Sequence, residues 1–128
     1  MLNLTKEWVD KAEGDFASGG REVRARKNPN YDSACFHAQQ MAEKYLKAIL
    51  QANQQQIPRT HNLLNLLELC LPFTPQLALY QDILGQLNQY SVQYRYPGES
   101  ADKDEARSAY KSAKKFREFI HTLSFFGL

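Results

Sequence analysis

Helical periodicity runs through almost the whole chain and constrains its fold more than any other feature. In the first segment, Leu4, Trp8, Ala12 and Phe16 recur every four residues, which is typical of one face of an amphipathic helix. The five prolines fall between such segments, where they end one helix or begin the next. No segment alternates between apolar and polar residues over strand length. The pattern therefore predicts an all-α protein.

Five helices follow from this periodicity, with ends set by proline and capping residues. Short connections favour antiparallel neighbours, so we expect an antiparallel up-and-down bundle of four long helices plus one short helix. The pair Gly19-Gly20 lies inside the first helix, where it would permit close approach of a neighbour. The expected helices are residues 4–26, residues 31–53 after an Asn30 cap, a short buried LLNLLELCL helix capped by Thr60, a helix opened by Thr74-Pro75, and a last helix from Ser100.

Composition narrows the class of protein further. The 128 residues are expected to form one domain over 1–128, and a net charge of +2 does not by itself indicate a nucleic-acid or membrane partner. Cys35 and Cys70 lie on apolar stripes without other ligands at metal-binding spacing, so we expect buried thiols, no disulfide and no metal site. No motif indicates a cofactor. The N-terminal segment carries four acidic residues and no signal-like apolar run, which favours a soluble, cytoplasmic protein without a membrane partner.

The second helix carries an unusual polar stripe. His37, Gln40, Lys44 and Lys47 lie at i, i+3, i+7 and i+10, so they share one face. On the central helix of a bundle, such a face must meet water, pair with other polar groups or line a cleft. Histidine and glutamine supply hydrogen bonds, and lysine supplies a mobile charge that suits phosphate. A ligand surface and a solvated edge are equally compatible with this pattern.

Two segments at helix ends add arginines to the candidate site. Arg59 and His61 flank Thr60 at the expected start of a helix, where free backbone N–H groups favour an anion. Tyr94 and Arg95 offer an aromatic ring and a cation, a combination that stacks on bases and contacts phosphate. Each segment also has a purely structural interpretation, as a covered helix end or a packed loop. The predicted ligand-binding set, expected to line one cleft, is His37, Gln40, Lys44, Arg59, His61, Tyr94 and Arg95.

Two charged runs are interpreted as solvated surface. Arg21, Arg24, Arg26 and Lys27 lie at the end of the first helix, where the macrodipole favours cations. The last helix begins with acidic residues and continues with basic ones, from Arg107 to Arg117, an order that stabilises any exposed helix. Neither run enters the predicted site.

Three strings, CFHAQQMAEKYLKAIL, PRTHNLLNLL and YRYP, together resemble the HEPN family (higher eukaryote and prokaryote nucleotide-binding domain). The similarity extends from WVDKAEGDF at 8–16 to the final helix. The resemblance implies a helical bundle that commonly dimerises, is often paired with a minimal nucleotidyltransferase and in many branches acts as an RNase. By the family pattern, His37, Gln40, Lys44 and His61 are the matched positions.

The ribonuclease branches of the family use an arginine and a histidine separated by four to six residues. Here Arg59 and His61 are separated by one residue, and Arg117 and His121 by three, so the spacing is absent. The favoured interpretation is therefore a nucleotide-, RNA- or partner-binding module in a two-component, toxin–antitoxin-like system. The alternatives are a metal-independent RNase that uses His61, Arg59 and Arg95, and a purely structural interaction module.

A homodimer is expected because the chain has more large aromatic residues than a bundle of this size buries alone. These aromatics are Trp8, Phe36, Tyr90, Tyr94, Tyr96, Phe125 and Phe126.

Overall fold

A computed structural model describes residues 3–124, and every regular element within that range is helical. The all-α prediction is confirmed. The helices are α1 (Asn3–Arg24), α2 (Tyr31–Ala52), α3 (Leu63–Cys70), α4 (Gln81–Asn88) and α5 (Lys103–Ile120), with 3₁₀ turns at Pro75–Tyr80 and Gln89–Ser91 on either side of α4.

Helix directions follow from the contacts between elements. Gly19, near the end of α1, lies against Ala34 near the start of α2, whereas Trp8 near the start of α1 lies under Lys47 near the end of α2. The two helices are therefore antiparallel. On α5, Tyr110 stacks on Phe16 of α1 with ring centroids 5.0 Å apart. Later α5 residues contact earlier α1 residues, so these two helices are also antiparallel.

The fourth predicted helix is divided in the structure. Residues 75–91 form a 3₁₀ turn, the eight-residue α4 and another 3₁₀ turn, so the bundle has three long helices and two short ones. Thr74 makes no side-chain capping bond, and its buried Oγ1 finds no partner among the described residues. Without that cap, the turn that begins at Pro75 closes with the tighter i→i+3 bonds. Tyr80 packs on Phe116 and Gln86 bonds Ser108, which makes the segment antiparallel to α5.

Side-chain caps set the other helix starts. Asn30 caps α2 as predicted, its Oδ1 accepting the Ser33 N–H at 2.9 Å. The Thr60 cap on α3 was wrong, because the side chain of Asn62 accepts the first-turn N–H groups. The last helix begins after Asp102 rather than at Ser100, since the Asp102 carboxylate accepts the N–H three residues on. In both cases, a later residue provides the acceptor.

The core is built around α2, which is packed by α1, α5 and α3. Its small residues, Ala34, Ala38 and Ala42, are buried and let neighbouring helices approach. Cys35 and Cys70 are both buried free thiols, as predicted. Burial raises the pKa of each thiol to about 12. The short helix α3 buries one side only, so the predicted burial of this helix does not extend to Leu69, which is exposed.

Close packing explains one glycine pair in α1. A Cβ at Gly20 would meet the Tyr110 ring at 3.2 Å, and one at Gly19 would touch Ala34 and His37 at 3.5 Å. The predicted close approach at this pair is confirmed. Gly14, by contrast, has no atom within 4 Å of an added Cβ.

The aromatic residues expected at an interface have different environments. Tyr90 is buried within the chain, Trp8 is partly buried, and Phe36 and Tyr96 are 38% and 73% exposed. Phe125 and Phe126 lie outside the described residues. Within 3–124, no helix combines the length and apolar character needed to cross a bilayer.

Candidate functional site

Two residues of the predicted stripe meet at one carboxylate. His37 Nδ1 lies 2.7 Å from Asp15 Oδ1, and Lys44 Nζ lies 2.5 Å from Asp15 Oδ2. Asp15 comes from α1, where it is almost buried against α2. Burial alone would raise the pKa of Asp15, but the hydrogen bonds and charges of His37 and Lys44 outweigh it and lower that pKa. The structure therefore brings His37 and Lys44 together but gives them an internal anion, which the helical pattern did not indicate.

A second group surrounds a buried carboxylate of α2. Glu43 and Lys47 form an ion pair at 3.0 Å, and their side chains are only 5% and 8% exposed. Gln39 donates to Glu43 at 3.3 Å and to the His61 carbonyl at 3.0 Å. Gln40 reaches the same group by donating to Gln39 at 2.8 Å. Lys47, the last residue of the polar stripe predicted on the second helix, is thus buried in an ion pair with Glu43 and is not solvated.

His61 is fixed by this group and yet remains accessible. Its Nδ1 lies 3.1 and 3.2 Å from the two oxygens of Glu43, while 71% of its side chain is exposed. Arg59, two residues earlier, is also exposed. The hydroxyl of Thr60 between them accepts the Asn62 N–H at 3.1 Å, which shapes the turn before α3. The loop therefore presents the imidazole of His61, held by Glu43, beside the exposed guanidinium of Arg59.

Tyr94 and Arg95 form a third group near the start of α2. The backbone of Tyr94 has φ +69°, a left-handed conformation that costs free energy for a tyrosine. Its hydroxyl donates to Glu105, which also accepts from Tyr90 at 2.9 Å, and the two tyrosine rings stack 6.1 Å apart. Arg95 donates to the Ser91 carbonyl. The two tyrosine bonds to Glu105 hold the segment against α5.

The seven predicted residues thus form three groups along α2. Tyr94 and Arg95 line an open cleft of about 470 Å³ with Phe36 and other residues of the first turns of α2, and none of the other five predicted residues lines it. His37 and Lys44 share Asp15, whereas Gln40, Arg59 and His61 surround or adjoin the Glu43 group. Ligand binding by these residues stays a prediction.

A further polar network joins α1, α2 and α5. Arg117 forms a two-pronged contact with Glu13, at 2.9 Å from Nε and 2.7 Å from Nη2. The buried Tyr45 hydroxyl donates to Glu13 and lies 3.1 Å from His121 Nε2. Arg117 was interpreted as solvated surface, and that interpretation was wrong because its guanidinium packs between Glu13 and the Phe16 ring.

The charges of this network perturb one another. Burial would raise the pKa of Glu13, but hydrogen bonds from Arg117 and Tyr45 and the nearby cations hold it at about 2. Burial, followed by the bond to Glu13, raises the pKa of Tyr45. The bond to Glu13 raises the pKa of Arg117. Glu13 is therefore an anion that ties three helices together.

These features define an all-α bundle whose central helix carries paired charges and holds an exposed histidine of the following loop through a buried carboxylate. The HEPN domain model matches residues 5–123, so the chain belongs to the HEPN domain family. The resemblance seen in the sequence is confirmed.

Solved structures share this fold. TT1696 from Thermus thermophilus is 25% identical, with a TM-score of 0.79 over 94% of this chain and 98% of that chain. ST0689, an archaeal HEPN homologue, is 23% identical, with a TM-score of 0.65 over 92% of this chain and 95% of that chain. Among curated proteins, none matches the chain significantly.

Proposed function

We propose that this HEPN-domain protein is a cytoplasmic single-domain module that binds a nucleotide, RNA or a nucleotidyltransferase partner, in a two-component, toxin–antitoxin-like system. The observation that supports binding is the anchored His61, most of whose side chain is exposed while its Nδ1 contacts the buried Glu43. A buried ion pair such as Glu43–Lys47 often contributes no more to the stability of the fold than apolar residues of the same volume would. Its presence is better explained by what it positions at the surface.

The chemistry at that surface suits phosphate. Arg59 supplies a permanent charge with a planar set of donors, and His61 supplies a ring nitrogen beside it. Lys44 and His37 lie on the same helix but share Asp15, so they contribute less net charge. We assign the main contact with phosphate to Arg59 and His61.

Binding is tested with a single-stranded RNA oligonucleotide and with ATP, by fluorescence anisotropy and calorimetry. Arg59→Ala and His61→Ala are expected to weaken binding by about tenfold each, with a further loss at high salt. Lys115→Ala, an exposed lysine of α5, is the matched control and should leave affinity unchanged. Affinity that is equal in Arg59→Ala, His61→Ala and the control would contradict the assignment.

Homodimerisation is part of the proposal. Phe36, Val92 and Tyr96 are exposed large apolar residues, a class that is often covered at interfaces. Sedimentation at micromolar concentration is expected to give a two-fold symmetric dimer. A monomer at about 100 times that concentration would contradict it.

The nucleotidyltransferase partnership has its own test. The tagged chain, expressed together with the product of the adjacent gene, should retain a nucleotidyltransferase of domain size through gel filtration. A chain that elutes without that product at micromolar concentration would remove this part of the proposal.

A metal-independent RNase is the second candidate, and one observation favours it. Contact of His61 Nδ1 with Glu43 orients the ring and leaves its other edge accessible, as a general base requires. The wild type would then cleave single-stranded RNA in EDTA and leave 2′,3′-cyclic phosphate ends. His61→Ala should reduce that rate by about 10²–10⁴-fold. Intact RNA after prolonged incubation would exclude this candidate.

A further inference from the structure

A basic cleft lies apart from the residues of the candidate functional site. It has a volume of about 810 Å³ and is bounded by the end of α1, the α1–α2 connection and the first turns of α5. Four cationic side chains line it: Arg24, Arg26, Lys103 and Arg107. None of the four has a salt bridge within residues 3–124.

Three acidic residues of the same segments bond backbone N–H groups and not the cations of this cleft. Glu22 accepts the Asn30 N–H at 3.0 Å, and Asp32 accepts the Ala101 N–H at 2.7 Å. Asp102 caps its own helix. No carboxylate is among the residues that line the cleft. Within residues 3–124, the four cations of the cleft therefore have no carboxylate partner.

Helix stability explains only part of this arrangement. Arg24 ends α1, where a cation is favoured by the macrodipole. Lys103 instead begins α5, at the end that disfavours cations. Lys103 and Arg107 are also an i,i+4 pair of like charge, which opposes helix formation. Lys103 thus lacks a stabilising role in its own helix.

We propose that this cleft binds a linear triphosphate, carried by a nucleoside triphosphate or by inorganic polyphosphate. Three guanidinium groups and an ammonium group match a chain of phosphate oxygens, and guanidinium binds such oxygens in pairs. The Tyr31 ring, which also lines the cleft, offers a face for a base. The inference rests on the nucleotide-binding option of the proposed function and gives it a separate site.

The test is calorimetry of the full chain with sodium tripolyphosphate, ATP and AMP, in EDTA at low salt. Tripolyphosphate and ATP are expected to bind, with AMP at least about tenfold weaker because it carries one phosphate. Arg107→Ala and Arg26→Ala should each weaken tripolyphosphate binding by about tenfold. Lys111→Ala, exposed on the same helix but outside the cleft, is the matched control. Circular dichroism confirms that each variant is folded, and Arg107→Gln repeats the test if the alanine variant does not fold.

The sources of the triphosphate are distinguished by relative affinity. ATP binding much more tightly than tripolyphosphate assigns a nucleoside triphosphate, and equal affinity assigns inorganic polyphosphate. Absence of tripolyphosphate and ATP binding, with or without RNA binding, overturns the inference, as does binding that is equal in Arg107→Ala, Arg26→Ala and the control. If Arg59→Ala loses RNA and ATP binding and Arg107→Ala has no effect, the proposed function stands and the cleft is not a triphosphate site. If instead Arg107→Ala loses binding and Arg59→Ala has no effect, the cleft is supported as the site and the assignment of Arg59 and His61 is wrong.

Discussion

Replacing Glu13 by glutamine keeps the shape of the side chain and removes the charge that joins α1 to α5. The fall of the Glu13 pKa from 4.5 to about 2 corresponds to about 3 kcal/mol of folding free energy without screening. The side chain is 32% exposed, so solvent reduces this contribution to about 1–2 kcal/mol. We expect Glu13→Gln to lower the free energy of unfolding at neutral pH by that amount.

The pH dependence of the free energy of unfolding tests this prediction in a second, independent way. Because the folded-state pKa is lower than the unfolded one, the stabilisation is complete above about pH 4.5 and is lost as the pH falls toward 2. Linkage places more than half of that loss above pH ~3. The wild type and Glu13→Gln should therefore differ near neutral pH and converge in acid.

Urea unfolding followed by circular dichroism, near pH 7 and near pH 3, measures both effects. Glu7→Gln is the matched control, since Glu7 is an exposed glutamate on the same helix, and it should change stability by less than about 0.5 kcal/mol. If Glu13→Gln is as stable as the wild type near pH 7, or if its full deficit persists near pH 3, the ionic account of this network is refuted.

Three more predictions concern packing and buried groups. Gly14→Ala should stabilise the chain by about 0.5–1 kcal/mol because nothing lies within 4 Å of the new Cβ, whereas Gly20→Ala should gain less or destabilise because its Cβ would meet Tyr110; urea unfolding of both compares them. Cys35 and Cys70 should not react with a thiol reagent near pH 8 until urea unfolds the chain, since burial raises both thiol pKa values to about 12; reaction in the folded state would contradict this. Glu43→Leu should cost about 3–5 kcal/mol because Lys47 stays buried without its partner, and Glu43→Leu with Lys47→Met should recover most of it; an equal loss in the double variant would refute the ion-pair argument.

Local signals in the sequence were sufficient for much of the fold. The Asn30 cap lies directly before the apolar stripe of α2, and its side chain bonds a residue three positions away. Such a signal needs no knowledge of the rest of the chain. Thr60 failed as a cap because Asn62, two residues later, competes for the same role with a stronger acceptor. Where two capping residues stand close together, their order alone does not decide which one begins the helix.

The candidate site was harder to predict because its partners are distant in sequence. Asp15 and His37 are 22 residues apart, and Glu13 and Arg117 are 104 residues apart. Each charge stands at the border of an apolar stripe, where a solvated residue and a buried ion pair give the same local pattern. The helix periodicity therefore found His37 but not the acid that it contacts.

One residue of the sequence did indicate the polar network around Glu13. Tyr45 lies on the apolar stripe of α2, so the periodicity predicts its burial, and a buried tyrosine hydroxyl requires a hydrogen-bond partner. Because α2 supplies no such partner on that face, the acceptor must come from a neighbouring helix. Glu13 borders the inward stripe of α1 in the same way, and the structure joins the two. A tyrosine hydroxyl predicted to be buried on the apolar face of one helix thus indicates that a charged residue beside the apolar face of a neighbouring helix is its hydrogen-bond partner.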